Sequence, residues 1–175
     1  FLKKRTWKTA RVFSVWDAAE FEVEYQAPPR RNGIVVGYIG GNAWWQGLQH
    51  LIGAARLLSH RLDISFNIAG FDPIDREQFP WLPNITYPGY VERADVVEFI
   101  RGCDITISTR IEDITGDLLF PHKVSEYMAC GRAVIVSGAG DQPGIIQDAR
   151  CGMVVTPMSA EMLARAIEQV ASMTP

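Results

Sequence analysis

From residue 34 onward, short apolar runs alternate with segments whose apolar residues recur every three or four positions. Runs at 34–39, 63–70, 85–87, 104–108, 133–137 and 153–155 read as strands, because a strand covered on both faces is apolar almost throughout. Leu48, Leu51, Ile52, Ala55 and Leu58 share one face of a helix. Further helices are expected at about 93–101, 121–129 and 143–148. A last one begins near Ser159, a suitable cap for free N–H groups, and aligns Leu163, Ala166, Ile167 and Val170. Strands alternating with amphipathic helices predict βαβ units, hence an α/β fold with a mainly parallel six-stranded sheet and helices on both faces.

Residues 1–31 lack this alternation. They read as a linker or interdomain segment, with a short strand at 10–14 and a turn signal at Pro28-Pro29-Arg30-Arg31-Asn32-Gly33. Residues 32–175 read as one domain. Sheets of this kind bind ligands beyond the carboxyl ends of their strands. That directs attention to the loops 40–46, 70–74, 89–92, 108–122 and 137–143.

Composition changes this picture little. A net charge of −3 gives no electrostatic footprint for nucleic acid. No apolar run approaches the ~20 residues that span a bilayer, so no transmembrane segment is expected. Cys103, Cys130 and Cys151 have neither an even count nor metal-ligand spacing, and read as buried thiols in a reduced, cytoplasmic setting. His50 and His60 have no metal partner at ligand spacing, and read as structural or exposed. The chain opens at Phe1 without an initiator Met and reads as an excised piece of a longer protein.

Several segments resemble a known family. Gly37-Tyr38-Ile39-Gly40, followed by Gly47-Leu48, resembles the first strand, loop and helix of the C-terminal domain in GT-B retaining glycosyltransferases of group 1 (family 4). Ile68-Ala69-Gly70 and Gly89-Tyr90-Val91 resemble the ends of that family's second and third strands. The most specific block runs from Phe120 through Pro121-His122-Lys123-Val124-Ser125-Glu126 to Ile135, and resembles the helix and strand that carry its second acidic residue. The resemblance covers about residues 10–172. It implies a Rossmann-like, doubly wound domain forming one half of a GT-B fold, with the N-terminal GT-B domain missing. The resemblance implies no cofactor, and no metal, since helix dipoles and basic side chains would hold the leaving diphosphate; a nucleoside-diphosphate sugar, UDP- or GDP-linked, would be the co-substrate, and a sugar or lipid-linked molecule the acceptor. The intact protein would be cytoplasmic, placed peripherally at the inner membrane face.

The resemblance also assigns roles. Glu126 would accept hydrogen bonds from both ribose hydroxyls, a task suited to an acceptor-only carboxylate. Phe120, Pro121, His122 and Lys123 surround a helix start, where free N–H groups and a partial positive charge favour a diphosphate. Gly40, Gly41 and Asn42 would let backbone approach the phosphates, Gly70 would close the second loop, and Tyr90 and Val91 would wall the base. The alternatives are a plain βα turn, a solvated helix carboxylate and a core tyrosine. Two departures stand out. Family members often carry an arginine and a lysine in the first loop, where this chain has Gly41 and Gln46. The first acid, eight positions before the second in the family, falls on Leu118; Glu112 and Asp117 are the two candidates for its catalytic role, against the alternative of a solvated acidic loop. Trp44-Trp45 cannot both face inward on a turn, so one is expected at the surface. The alternative to a transferase half is a degenerate GT-B domain serving as a non-catalytic binding or assembly module. An unrelated nucleotide sensor of Rossmann type is a third reading.

Overall fold

The computed structural model describes residues 18–19, 23–29, 31–74, 77–119 and 121–173. The strand expected at 10–14 and the site candidate Phe120 lie outside the described residues. Among the described residues six strands form a single sheet: β1 (Ile34–Ile39), β2 (Ile64–Ala69), β3 (Ile85–Gly89), β4 (Ile105–Ser108), β5 (Ala133–Ser137) and β6 (Gly152–Val155). Their order is β3-β2-β1-β4-β5-β6. Every pairing is parallel, so the sheet is wholly rather than mainly parallel.

The helices are α1 (Leu48–Leu57), α2 (Val96–Arg101), α3 (Ile114–Leu118), α4 (His122–Ala129), α5 (Gln142–Ala149) and α6 (Ala160–Ala171). Single 3-10 turns precede α1 at Trp44–Gln46 and α2 at Arg93–Asp95. The sheet has one core on each face. Leu48, Leu51 and Ile52 of α1 pack with Leu163 and Ile167 of α6 against Val36, Phe66, Ile68 and Ile107. Val96 and Ile100 of α2, Val124 and Tyr127 of α4, and Ile145 and Ile146 of α5 pack against Ile39, Val134 and Val136 on the other face. Ser159 caps α6 by accepting from the Met162 N–H at 3.1 Å, as its residue type predicts.

The order reverses between β1 and β4, the switch point where doubly wound sheets open a crevice. The β1–β4 ladder is short, joining only Val36 to Ile105 and Gly37 to Thr106. Beyond each end of it a side chain takes over the pairing. Below, the Asp104 carboxylate accepts from the Val35 N–H at 2.7 Å and from Arg31 Nη2 at 2.6 Å. Above, the buried Tyr127 hydroxyl accepts from the Ile39 N–H at 3.1 Å. Every backbone polar group buried in a sheet needs a partner, so these two side chains let β1 and β4 diverge without orphaned groups. The upper divergence is where the cleft described next begins.

Candidate functional site

A cleft of about 300 Å³ lies at the carboxyl edge of the sheet. Ile39, Gly40 and Gly41 after β1 and Gly70 after β2 form one side. Tyr90, Val91 and Arg93 come from the segment after β3, and His122, Lys123 and Glu126 from the first turns of α4. Thus eight of the candidates named from sequence, namely Gly40, Gly41, Gly70, Tyr90, Val91, His122, Lys123 and Glu126, line one cleft. Asn42 is exposed on the same loop without lining it, and Pro121 is buried at the position preceding α4. A larger hollow of about 1060 Å³ opens at the opposite edge, between Tyr25, Pro28, Pro29 and Arg31 and the strand starts. Its Arg31 and Asp104 neutralise each other at 2.6 Å, and ligands of such sheets bind at the other end.

Two glycines shape the cleft floor. Gly70 has φ +102, and a Cβ there would sit 2.6 Å from both the backbone N and O of Gly40. The two loops therefore touch only because both are bare. Gly40, at φ +150, leaves room for the Lys123 ammonium, which a Cβ would approach to 2.6 Å. The first loop thus approaches a cation of the chain itself.

Lys123 is the electrostatic centre. Its Nζ donates to the Tyr38 hydroxyl at 2.9 Å and to Gln46 Oε1 at 3.0 Å, and lies 4.0 Å from the Tyr38 ring centroid. Tyr38 in turn donates to the Gly41 carbonyl at 2.7 Å, which leaves its lone pairs toward the ammonium. Burial, reinforced by the neighbouring Arg110 charge and opposed by Glu126, draws the Lys123 pKa down to about 7. Burial pushes the Tyr38 hydroxyl well above its ordinary value, so it stays neutral. Gln46, which stands where the family often places a cation, is the acceptor that orients this one.

Glu126 lies one helical turn beyond Lys123. It is largely covered, and its Oε1 accepts from Arg93 Nη1 at 2.5 Å. Arg93, half exposed at the lip of the cleft, was not among the sequence candidates. Nor was Arg110. Only 6% exposed just after β4, Arg110 donates to the carbonyls of Gly116 and Leu119 and holds the α3 segment over the sheet edge. A buried arginine immediately past a strand was the available signal for it, since burying a guanidinium is costly without a task. Tyr90 is 71% exposed. That places it in the cleft wall, not the core.

Glu112 and Asp117 are not among the residues lining the cleft. Glu112 Oε1 accepts from the N–H groups of Met158 at 2.8 Å and Gly138 at 3.3 Å, and Oε2 from the Thr156 hydroxyl at 2.9 Å. Asp117 Oδ1 accepts from the Gly140 N–H at 2.8 Å. Glu112 ties the segment after β4 to the loops after β5 and β6, and Asp117 ties it to the loop after β5. Asp113, the third acid of that loop, caps α3 by accepting from Thr115 and Gly116. Trp44 is 62% exposed and meets the half-buried Trp45 edge-to-face at 5.9 Å, so one of the pair does face solvent. No group of three metal-ligating side chains occurs among the described residues, and no described helix is long and apolar enough to cross a membrane.

Solved structures share this fold. A glycosyltransferase from Rickettsia africae superposes with a TM-score of 0.68 at 23% identity, over 82% of this chain and 39% of its own. Anabaena HepE in complex with UDP-glucose gives 0.64 at 24%, over 79% and 39%. Sucrose-phosphate synthase from Thermosynechococcus elongatus gives 0.61 at 18%, over 81% and 37%. This chain therefore spans less than half the length of each. No curated protein matches it. The profile of the family described as glycosyl transferases group 1 matches residues 33–173, and with the cleft at the carboxyl edge of a doubly wound sheet this places the chain: it belongs to the group 1 glycosyl transferases.

Proposed function

We propose that this chain is the donor-binding half of a retaining glycosyltransferase, one that moves a sugar from a nucleoside-diphosphate sugar to an acceptor hydroxyl. The observation that carries the proposal is the pairing of Lys123 and Glu126 on one face of the start of α4, opposite Gly40 and Gly70 and beside Tyr90 and Val91. A diphosphate set against that helix start meets the positive end of the helix dipole and the Lys123 ammonium. The same groups stabilise charge developing on the leaving diphosphate, so no metal is required by this scheme. Glu126, one turn on, is then at ribose distance, and the exposed face of Tyr90 is at the base. Lys123 supplies the positive charge that Gly41 and Gln46 do not. The complex of HepE with UDP-glucose supports a UDP-linked donor. The acceptor, a sugar or lipid-linked hydroxyl, would be held chiefly by an N-terminal domain across the cleft.

Glu112 and Asp117 are carried as the two candidates for the acid beside the donor sugar. Their bonds to the loops after β5 and β6 also favour a second reading, in which the domain binds a nucleotide without catalysing transfer. Calorimetric titration with UDP, GDP and ADP tests the shared part. One diphosphate should bind saturably, and Glu126→Gln should weaken it about ten- to a hundredfold, the worth of a charged acceptor. Absence of binding by all three at millimolar concentration overturns the donor-site reading. Combining the domain with an N-terminal half then separates transferase from binding module by sugar transfer to an acceptor.

A further inference from the structure

We infer that Lys123 takes up a proton from solution when a nucleoside-diphosphate sugar enters the cleft, so that donor binding is coupled to protonation of this one side chain. The inference rests on the donor-site reading above and adds a regulation of that site. Its first support is the set of groups around the ammonium. From β1, Tyr38 offers a neutral hydroxyl and a ring face. From the turn after β1, Gln46 offers a neutral amide oxygen. From the segment after β4 comes Arg110, a like charge. From α4 itself come His122, also in the cleft wall, and Glu126, the single carboxylate whose charge favours the ammonium. That carboxylate is bonded to Arg93 at 2.5 Å. The cation is therefore held by neutral acceptors, with its one anionic neighbour shared, and burial in such surroundings favours the neutral amine.

The second support is the distribution of cations along the chain. There are four lysines, Lys3, Lys4, Lys8 and Lys123, and every other cationic residue after Lys8 is an arginine, apart from histidines. Arginine cannot lose its proton in this range. The cleft wall thus carries the one strong cation of the domain able to switch off near neutrality. A diphosphate diester brings two negative charges to the same place and reverses the balance. Its own groups do not titrate near neutral pH, so proton uptake on binding must come from the protein.

The scarcity of lysines makes the test direct. With ¹³C-labelled lysine, the Lys123 Cε signal of the free protein, identified by its loss in Lys123→Arg, should titrate near neutrality, well below the roughly 10.4 of an unperturbed lysine. Saturating UDP-glucose should raise the Lys123 midpoint by more than about one pH unit, equivalent to more than a tenfold fall in affinity across the interval between the two midpoints. Calorimetry of UDP-glucose binding at pH 7.5, in buffers of different ionisation enthalpy, should show uptake of a fraction of a proton. That uptake should persist in His122→Gln and vanish in Lys123→Arg. An ordinary lysine midpoint in the free protein, a midpoint unmoved by bound UDP-glucose, or uptake unchanged in Lys123→Arg overturns the coupling and leaves the donor site standing. Failure of UDP-, GDP- and ADP-glucose alike to bind at any pH removes both.

Discussion

Replacing Tyr127 by Phe tests the local logic that opens the cleft. The ring is fully buried against the core under α4, and phenylalanine fills the same space less one oxygen. What is lost is the acceptor for the Ile39 N–H at 3.1 Å. That N–H faces the β4 side above the last ladder pair, Gly37 with Thr106, and Ile39 itself is only 8% exposed. An orphaned buried donor costs about 1–3 kcal/mol. With a midpoint shift of about 2–4 °C per kcal/mol in a chain of this size, a loss near 2 kcal/mol should lower Tm by roughly 4–8 °C. Thermal and urea unfolding measure it, and an unchanged urea m-value would locate the effect in stability, not in denatured-state compactness. Amide exchange gives the residue-level readout, with Ile39 losing protection more than its β1 neighbours. A Tyr127→Phe protein that melts within a degree of the parent, with the Ile39 amide still protected, would refute the claim that this hydroxyl completes the β1 edge.

Other consequences follow from the same geometry. Asp104→Ala removes the acceptor for the Val35 N–H and for Arg31; because Arg31 is partly exposed, the expected cost is about 1–3 kcal/mol in urea unfolding, with UDP binding at the distant cleft unchanged. Glu112→Gln weakens bonds to Gly138, Thr156 and Met158 on the outside of the molecule. Equilibrium unfolding should register about 1 kcal/mol or less, and UDP affinity should stay within about twofold of the parent; a large loss of binding would show that this carboxylate reaches the ligand. Gly70→Ala places a Cβ 2.6 Å from Gly40 backbone at a φ of +102, so both stability and nucleotide affinity should fall, by more than the roughly 0.5–1 kcal/mol that glycine and alanine differ by in regular structure. Melting and titration of that variant read the two effects separately.

The parallel sheet was legible because a strand covered on both faces has to be apolar along its length. β5, with Ala133-Val134-Ile135-Val136 ahead of Ser137, is the clearest case, whereas β4 is buried at every position although Thr106 and Ser108 alternate with its isoleucines. Lys123 and Glu126 were legible because the block from Phe120 to Ile135 resembles the family's helix and strand, and the structure sets both in the wall of one cleft. What escaped was fixed by contacts far apart in sequence. α3 has five residues, and two of its apolar side chains, Ile114 and Leu118, point to solvent, so it carries no helical period. Its acids looked alike on paper, yet Asp113 caps its own helix, Asp117 reaches Gly140 and Glu112 reaches Met158. No spacing rule distinguishes a carboxylate that binds a ligand from one that binds a backbone N–H some 20 or more residues away. The positive charge of the cleft was hidden for the same reason. The sequence shows a loop with Gly41 and Gln46 where cations are usual, and the fold supplies Lys123 from α4, held by Gln46 itself. A cation delivered by a helix packed over the loop is buried more deeply than one carried on the loop itself. Burial lowers its proton affinity, as a freely solvated loop lysine would not experience. Relocating the charge therefore changes its chemistry as well as its address, and makes the electrostatics of this cleft depend on pH near neutrality.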